Sequence, residues 1–310
     1  MSFPAKPILA AFVLFALIVP QLMARDLLDI LVFTCIYAIA GLGVGLLLKT
    51  CGIINAGQAL FYGLGAYTTA YLSTEYGTHW LVGVGAGVLL SSAIALVLGW
   101  PILRLHGYFL TLATLALGII GQSLFFEWSD ITGGELGRGG IPKITIAGYA
   151  LDTPLSFYYF VFVFLGVLLW LAHNLVGSRT GLMLQGMRND PDAAASLGVD
   201  NRWLKARMFL LSAILGSIAG SLFAHYTSFV SVHSFDITKS FTFLLIPVLG
   251  GARHLTGLVV GALFITLAPH FLSAFGHAHH ILFGLALVVV VTLMPDGIVG
   301  GVRQALARKN

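Results

Sequence analysis

The chain has 310 residues, 58% of them hydrophobic and only 9% charged, with a formal net charge of +4. A soluble domain carries about 25% charged residues to keep its surface wet, so a single water-soluble core is excluded and most of the surface faces lipid. The positive balance is no argument for nucleic acid, because the basic residues group by membrane side.

Taking about 20 apolar residues as one crossing, spans fall near residues 8–24, 27–48, 52–73, 80–102, 109–126, 156–176, 208–227, 239–252, 257–275 and 281–295. The first stretch has Lys6, an apolar run and a Pro, as a secretory signal does. No small-x-small cleavage site precedes Arg25, so it reads as an uncleaved first span. The 52–73 stretch is rich in Gly and polar groups, while 239–252 and 281–295 are short. Any of the three can be a broken or re-entrant helix, which is tolerated where it is buried in protein.

The basic residues test this count through the positive-inside rule. With the loop 177–207 in the cytoplasm, ten crossings place both termini there. Lys6, Lys49, Arg104, Arg179, Arg188, Arg202, Lys205, Arg207, Arg253, Arg303, Arg308 and Lys309 then lie inside, and only Arg25, Arg138, Lys143 and Lys239 outside. Most acids go the other way, among them Asp26, Asp29, Glu75, Glu127, Asp130, Glu135, Asp152 and Asp236. The expected fold is all-α: a polytopic transmembrane helical bundle of about ten spans, some broken or re-entrant. It forms one domain over 1–310, with a cytoplasmic loop at 177–207 and a periplasmic loop at 127–155.

The chain holds 37 glycines, with Gly41, Gly43, Gly45, Gly83, Gly85 and Gly87 among those inside the spans. Apolar side chains gain little by leaving lipid for one another, so membrane helices associate through close backbone approach and polar contacts. Gly41-x-Gly43 lies inside an apolar span with no strand before it, so helix packing explains it better than a dinucleotide fingerprint. Cys35 and Cys51 sit in or beside apolar segments and form no CxxC pattern, which suits small packing side chains.

Between two spans, Gly177 to Arg207 reads GSRTGLMLQGMRNDPDAAASLGVDNRWLKAR. Asn189 to Gly198 spells a short helix with both ends marked. Asp190 is its N-cap, Pro191 suits the first helical position, and Asp192 meets the positive end of the helix dipole. Three alanines supply propensity, and Gly198 can take the left-handed conformation at the end. So short a helix persists in water only by packing on the bundle or on a partner. It lacks a broad apolar face, which favours a docking device over a connector lying along the membrane. Trp203 is placed to sit at headgroup depth while Arg202, Lys205 and Arg207 reach water.

This loop, with the following Ser212-Ala213-Ile214-Leu215-Gly216-Ser217-Ile218-Ala219-Gly220-Ser221-Leu222, resembles the permease signature of ABC importers. More narrowly, the chain resembles the LivM-type permeases of branched-chain amino acid importers, from the second span to the C-terminus. The ordered pieces are Asn55-Ala56-Gly57-Gln58-Ala59 through Gly65-Ala66-Tyr67-Thr68, then Arg104-Leu105-His106-Gly107 to Ala113-Thr114-Leu115. Thr132-Gly133-Gly134 with Gly139-Gly140-Ile141-Pro142 follows, then Gly250-Gly251 to Gly261-Ala262, and Pro295-Asp296-Gly297-Ile298-Val299-Gly300.

The resemblance implies a heteromeric importer in a bacterial inner membrane. This subunit and a second permease form the path, two cytoplasmic ATPases drive it with ATP and Mg, and a periplasmic binding protein delivers substrate. It implies no cofactor in this chain. It also implies that the loop engages the ATPase, with Gly181, Arg188, Ala193, Ala194 and Gly198 on the family's matching positions and Asp190 capping the helix between them. Two positions depart from the family: Ile119 stands where many relatives carry an acidic residue, and Gln185 where a small residue is common.

Two segments are too polar to face lipid. In 52–73, Asn55, Gln58, Tyr62, Tyr67, Thr68 and Thr69 accompany Gly57, Gly63 and Gly65. In 109–126, Thr111, Thr114, Gly118 and Gln122 recur at helical spacing as one stripe. Both are expected near the conduit, with Asn55, Gln58, Tyr67, Thr111, Thr114 and Gln122 as its candidate lining. Interhelical hydrogen bonds without a transport role are the alternative. The loop Glu127–Asp152 is too long for a simple turn and is a candidate surface for the delivery protein or a plain solvated loop. Gly276-His277-Ala278-His279-His280 looks like a metal tract, yet no carboxylate or Cys lies nearby in sequence, so an exposed histidine turn is the expectation.

The chain has no GxxxxGK[ST] phosphate loop, so ATP hydrolysis belongs to separate subunits and this chain is not itself an enzyme. An intramembrane enzyme would need clustered His, Asp, Glu or Ser at one depth, and neither HExxH nor GxSxG occurs. An autonomous channel or secondary transporter is the third class, distinguished by solute exchange from the purified chain alone. Branched-chain amino acids are the family's default substrate, with urea, short amides and aromatic acids as alternatives.

Overall fold

The computed structural model describes residues 19–146, 148–252, 254–272, 279–294 and 296–301. Its helices are α1 (Arg25–Cys51), α2 (Gln58–Glu75), α3 (Trp80–Ile102), α4 (Tyr108–Glu127), the single turn α5 (Ser129–Thr132), α6 (Pro154–Gly177), α7 (Arg179–Asn189), α8 (Pro191–Ser196), α9 (Asn201–Thr227), α10 (Ile237–Gly250), α11 (Leu255–Leu272) and α12 (His279–Leu293).

Three helices make the centre. α1 and α9, 27 residues each, are buried over most of their length. α2 lies between α9 and the rest, and every residue from Asn55 to Tyr67 is buried. Around this core α3, α4 and α6 turn large apolar side chains outward, Leu89, Val97, Ile120, Val163 and Trp170 among them, as lipid-facing helices do.

Glycine sets how closely the central helices cross. A Cβ built on Gly220 of α9 would lie 1.8 Å from the Tyr62 carbonyl oxygen of α2. On Gly65 of α2 it would lie 2.0 Å from the Ser217 carbonyl of α9. The crossing is therefore backbone against backbone, the membrane solution to a missing hydrophobic drive.

Seven segments among the described residues are long and apolar enough to span: α1, α3, α4, α6, α9, Val232–Gly250 and α11. The sequence had pointed to about ten. Most of the expected first span, 8–24, lies outside the described residues. The 52–73 segment is broken, one of the forms expected of it, with residues 52–57 non-helical and α2 buried over its first ten residues. The last expected span contributes only a shorter apolar stretch, Ile281–Val290. The histidine tract falls largely outside the described residues.

The connections near the Arg25 end of α1 are not purely helical. β1 (Arg138–Gly139) pairs antiparallel with β4 (Phe229–Val230), Arg138 opposite Val230, and so clamps the 127–155 loop to the end of α9. β2 (Thr145–Ile146) and β3 (Tyr149–Ala150) form a second small ladder.

Candidate functional site

The 177–207 loop folds as two helices. Ser178 caps α7, its Oγ accepting from the Gly181 N–H at 3.3 Å. A Cβ on Gly181 would lie 2.1 Å from the Val176 carbonyl, so the corner between α6 and α7 closes only around glycine. α7 buries Gly181, Leu184 and Met187, one face at intervals of three, against the end of α1. Sequence inspection missed α7, because its four apolar side chains, Leu182, Met183, Leu184 and Met187, include three in a row and so make a weak periodic signal.

α8 has the ends expected of it. Asp190 Oδ1 accepts from the N–H groups of Asp192 and Ala193 at 3.1 and 3.0 Å. Pro191 opens the helix, and Gly198 beyond it has φ +83°. Asn201 Nδ2 donates to the Pro191 carbonyl at 2.7 Å, tying α8 to the start of α9. Ala194 is buried and Ala193 exposed. The pair of helices is anchored by Arg188, whose Nη1 donates to the Lys49 carbonyl at 2.6 Å. A cation there meets the negative end of the α1 dipole as well as an orphan carbonyl. Leu197 and Leu182 remain 86% and 65% exposed on this knob.

The basic residues after α8 differ in part from expectation. Arg202 does not simply reach into water; its guanidinium stacks 4.1 Å over the Trp100 ring of α3. Trp203 packs edge-on against the same Trp100 at 6.1 Å, and Arg207 lies 5.1 Å from the Trp203 ring. The indole face attracts a planar guanidinium more than it does water.

The second constellation is the broken link between α1 and α2. Gln58 Nε2 donates to the Ser212 carbonyl at 3.0 Å and to the Ala40 carbonyl at 3.3 Å. Its Oε1 accepts from Asn55 Nδ2 at 2.9 Å and from Ser212 Oγ at 3.0 Å. Thr114 Oγ1 of α4 accepts from the Ala56 N–H at 3.1 Å, and Ser240 Oγ of α10 from the Ala59 N–H at 3.0 Å. Asn55 Oδ1 takes the Gly57 N–H at 3.0 Å. Amide groups at the start of α2 are thus satisfied by side chains from other helices.

Of the six conduit candidates, the structure brings Asn55, Gln58 and Thr114 into this one network, all fully buried. Tyr67 is buried elsewhere, between Phe125 and Phe235 at 5.1 and 5.2 Å. Thr111 and Gln122 are half-buried on α4. Ser212 and Ser240 were missed; a small hydroxyl in an apolar span is a faint signal that only a known partner makes legible. Gln58→Leu removes one side chain from four bonds and strands Asn55 and Ser212. At roughly 0.6 kcal/mol per interhelical bond in lipid, it is expected to cost about 2 kcal/mol. Thermal unfolding of the detergent-purified chain checks this, and an unchanged midpoint would contradict the network's structural role.

Lys239 was also missed as more than an outside charge. It lies one turn into α10, donates to the Tyr37 hydroxyl at 2.8 Å and sits 4.8 Å from that ring. Tyr37 is about 18 Å along α1 from Arg25. On the 127–155 loop Arg138 is fixed by Glu75 at 2.9 Å, Thr74 at 2.7 Å and the Tyr71 ring at 5.0 Å. Lys143 donates to the Tyr226 carbonyl at 2.5 Å, and burial pulls its ammonium below the ordinary lysine range, with Asp152 and Asp29 opposing. No group of three metal-ligating side chains occurs among the described residues.

The family described as branched-chain amino acid transport system, permease component, matches residues 27–291. The chain belongs to this family. Among relatives of this permease, the high-affinity branched-chain amino acid transport system permease protein LivM of Escherichia coli K12 is 30% identical, over 98% of this chain and 77% of its own. The corresponding LivH of the same organism is 24% identical over 85% and 91%. The nucleoside ABC transporter permease protein NupC of Lactococcus lactis subsp. cremoris is 29% identical over 57% and 60%. No solved structure matches the permease.

Proposed function

We propose that this permease is the membrane subunit of an ATP-driven importer of branched-chain amino acids in a bacterial inner membrane. It forms the translocation path with a second permease, receives substrate from a periplasmic binding protein, and is driven by two cytoplasmic ATPases. ATP and Mg act in those partners. The bundle crosses about ten times, with both termini and the 177–207 loop in the cytoplasm.

The observation that carries this reading is the α7–α8 knob. It is a stiff, capped pair of helices fastened to the end of α1 by Arg188, with Leu182 and Leu197 turned outward. A connector needs neither caps nor exposed leucines, whereas a surface that transmits force needs both rigidity and an apolar contact. At the other end Leu136 and Tyr149, 87% and 81% exposed on the 127–155 loop, suit contact with the delivery protein.

Tagged chain purified from its own membranes is expected to carry a second permease and an ATPase. The reconstituted assembly is expected to accumulate L-leucine only with ATP and the binding protein. Leucine exchange by the purified chain alone, with no ATPase attached, would favour a secondary transporter instead.

A further inference from the structure

Outside the two constellations above, one recess holds charges of both signs. It opens beside the Arg25 end of α1, with a volume of about 340 Å³. Lys143 stands on one side, and Asp29 and Asp152 also line it, with Phe33 and Leu151 giving apolar wall. Tyr226 organises the polar groups: its carbonyl accepts from Lys143 and its hydroxyl donates to Asp29.

The charges are close but not consumed. Among the described residues the only ion pair is Arg138 with Glu75, so neither carboxylate is within ion-pair reach of Lys143. Lys143 has two further N–H donors beyond the one given to Tyr226. Asp29 has a second oxygen beyond the one that Tyr226 reaches. A recess with separated positive and negative groups and an apolar flank matches a molecule with the same three features.

The recess also lies at the head of a partly exposed stripe on α1. Between Val32 and Leu47 of α1, Phe33 and Tyr37 alone escape full burial. With Asp29 they recur every four residues and so share one stripe. The stripe ends at Tyr37, which holds Lys239 about 12 Å deeper than Asp29.

We infer that this recess binds a free zwitterionic α-amino acid, with its carboxylate on Lys143, its ammonium between Asp29 and Asp152, and its side chain against Phe33 and Leu151. The choice of an amino acid rests on the importer reading; the need for joined opposite charges rests on the recess itself. Because the recess carries one more negative charge than positive, it disfavours acidic amino acids. A zwitterionic lipid headgroup shares the ammonium and oxyanion chemistry, and the test separates the two sources.

The full chain is reconstituted in nanodiscs of phosphatidylglycerol, with and without phosphatidylethanolamine, and binding of L-leucine is measured against leucinamide and N-acetyl-leucine. Leucine is expected to bind in both lipid mixtures, with each single-charge analogue about tenfold weaker or more. Lys143→Met and Asp29→Asn are expected to weaken leucine by a similar factor, and Lys143→Arg to retain it. Size-exclusion profiles of all three show whether they fold. Unchanged leucine binding by folded Lys143→Met, or equal binding of the analogues, overturns the assignment. So does retention of phosphatidylethanolamine in native mass spectra without leucine binding. Co-purification of the ATPase is scored separately: its presence without leucine binding defeats this inference alone, and leucine binding without it defeats the importer reading alone.

Discussion

Gly220→Ala is expected to prevent the central helices from assembling, although it adds a single methyl group. That methyl would sit 1.8 Å from the Tyr62 carbonyl oxygen. The obstacle is backbone in the second turn of α2, itself enclosed over Asn55–Tyr67, so no rotamer change relieves it. Overpacking usually costs about 1–3 kcal/mol, and a backbone clash with no free side is expected at or above that range. Gly166 of α6 is the matched control, because a Cβ there meets nothing within 4 Å. Yield and thermal midpoint of the detergent-solubilised chain should collapse for Gly220→Ala and stay put for Gly166→Ala. Equal behaviour of the two variants would mean that the α2–α9 crossing is looser than the geometry states.

Arg188→Glu is expected to separate ATP hydrolysis from uptake while leaving the bundle intact. The substitution replaces the 2.6 Å bond to the Lys49 carbonyl with a carboxylate facing the negative end of α1. A charged hydrogen bond contributes about 1.5–3 kcal/mol and a terminal charge about 0.3–2. Both now oppose docking of the knob on α1. Gly198→Pro reaches the same end differently. Proline is held near φ −65°, whereas Gly198 sits at +83° and donates its N–H to the Ala195 carbonyl at 2.9 Å. Uptake by the reconstituted assembly is expected to fall about tenfold or more with ATP hydrolysis still measurable. Wild-type uptake by both variants would remove the loop from the drive.

The lipid-facing part of the molecule was legible because a long apolar run has few meanings. α3, α4, α6 and α11 lie within a few residues of their expected spans. α8 was legible for a different reason: Asp190, Pro191 and Gly198 each mark a helix end through local chemistry. What failed depended on partners far along the chain. α2 is the interior helix that its polar residues announced, but the partners of Gln58 and of the Ala59 N–H, Ser212 and Ser240, lie more than 150 residues away. Arg202 was assigned to water because nothing local announces that Trp100 waits beside it. The recess at Asp29 was invisible for the same reason, since its charges come from α1 and the 127–155 loop, which are distant in sequence.

The Gln58 bond to the Ala40 carbonyl fixes a point near the middle of α1. Asp29 lies about 16 Å to one side of it and Lys49 about 14 Å to the other. A tilt of α1 about that fulcrum swings its two ends in opposite directions by similar amounts. A push on the knob held at Lys49 would therefore reappear at Asp29 as a displacement of nearly equal size and opposite sense, a seesaw built from one rigid helix.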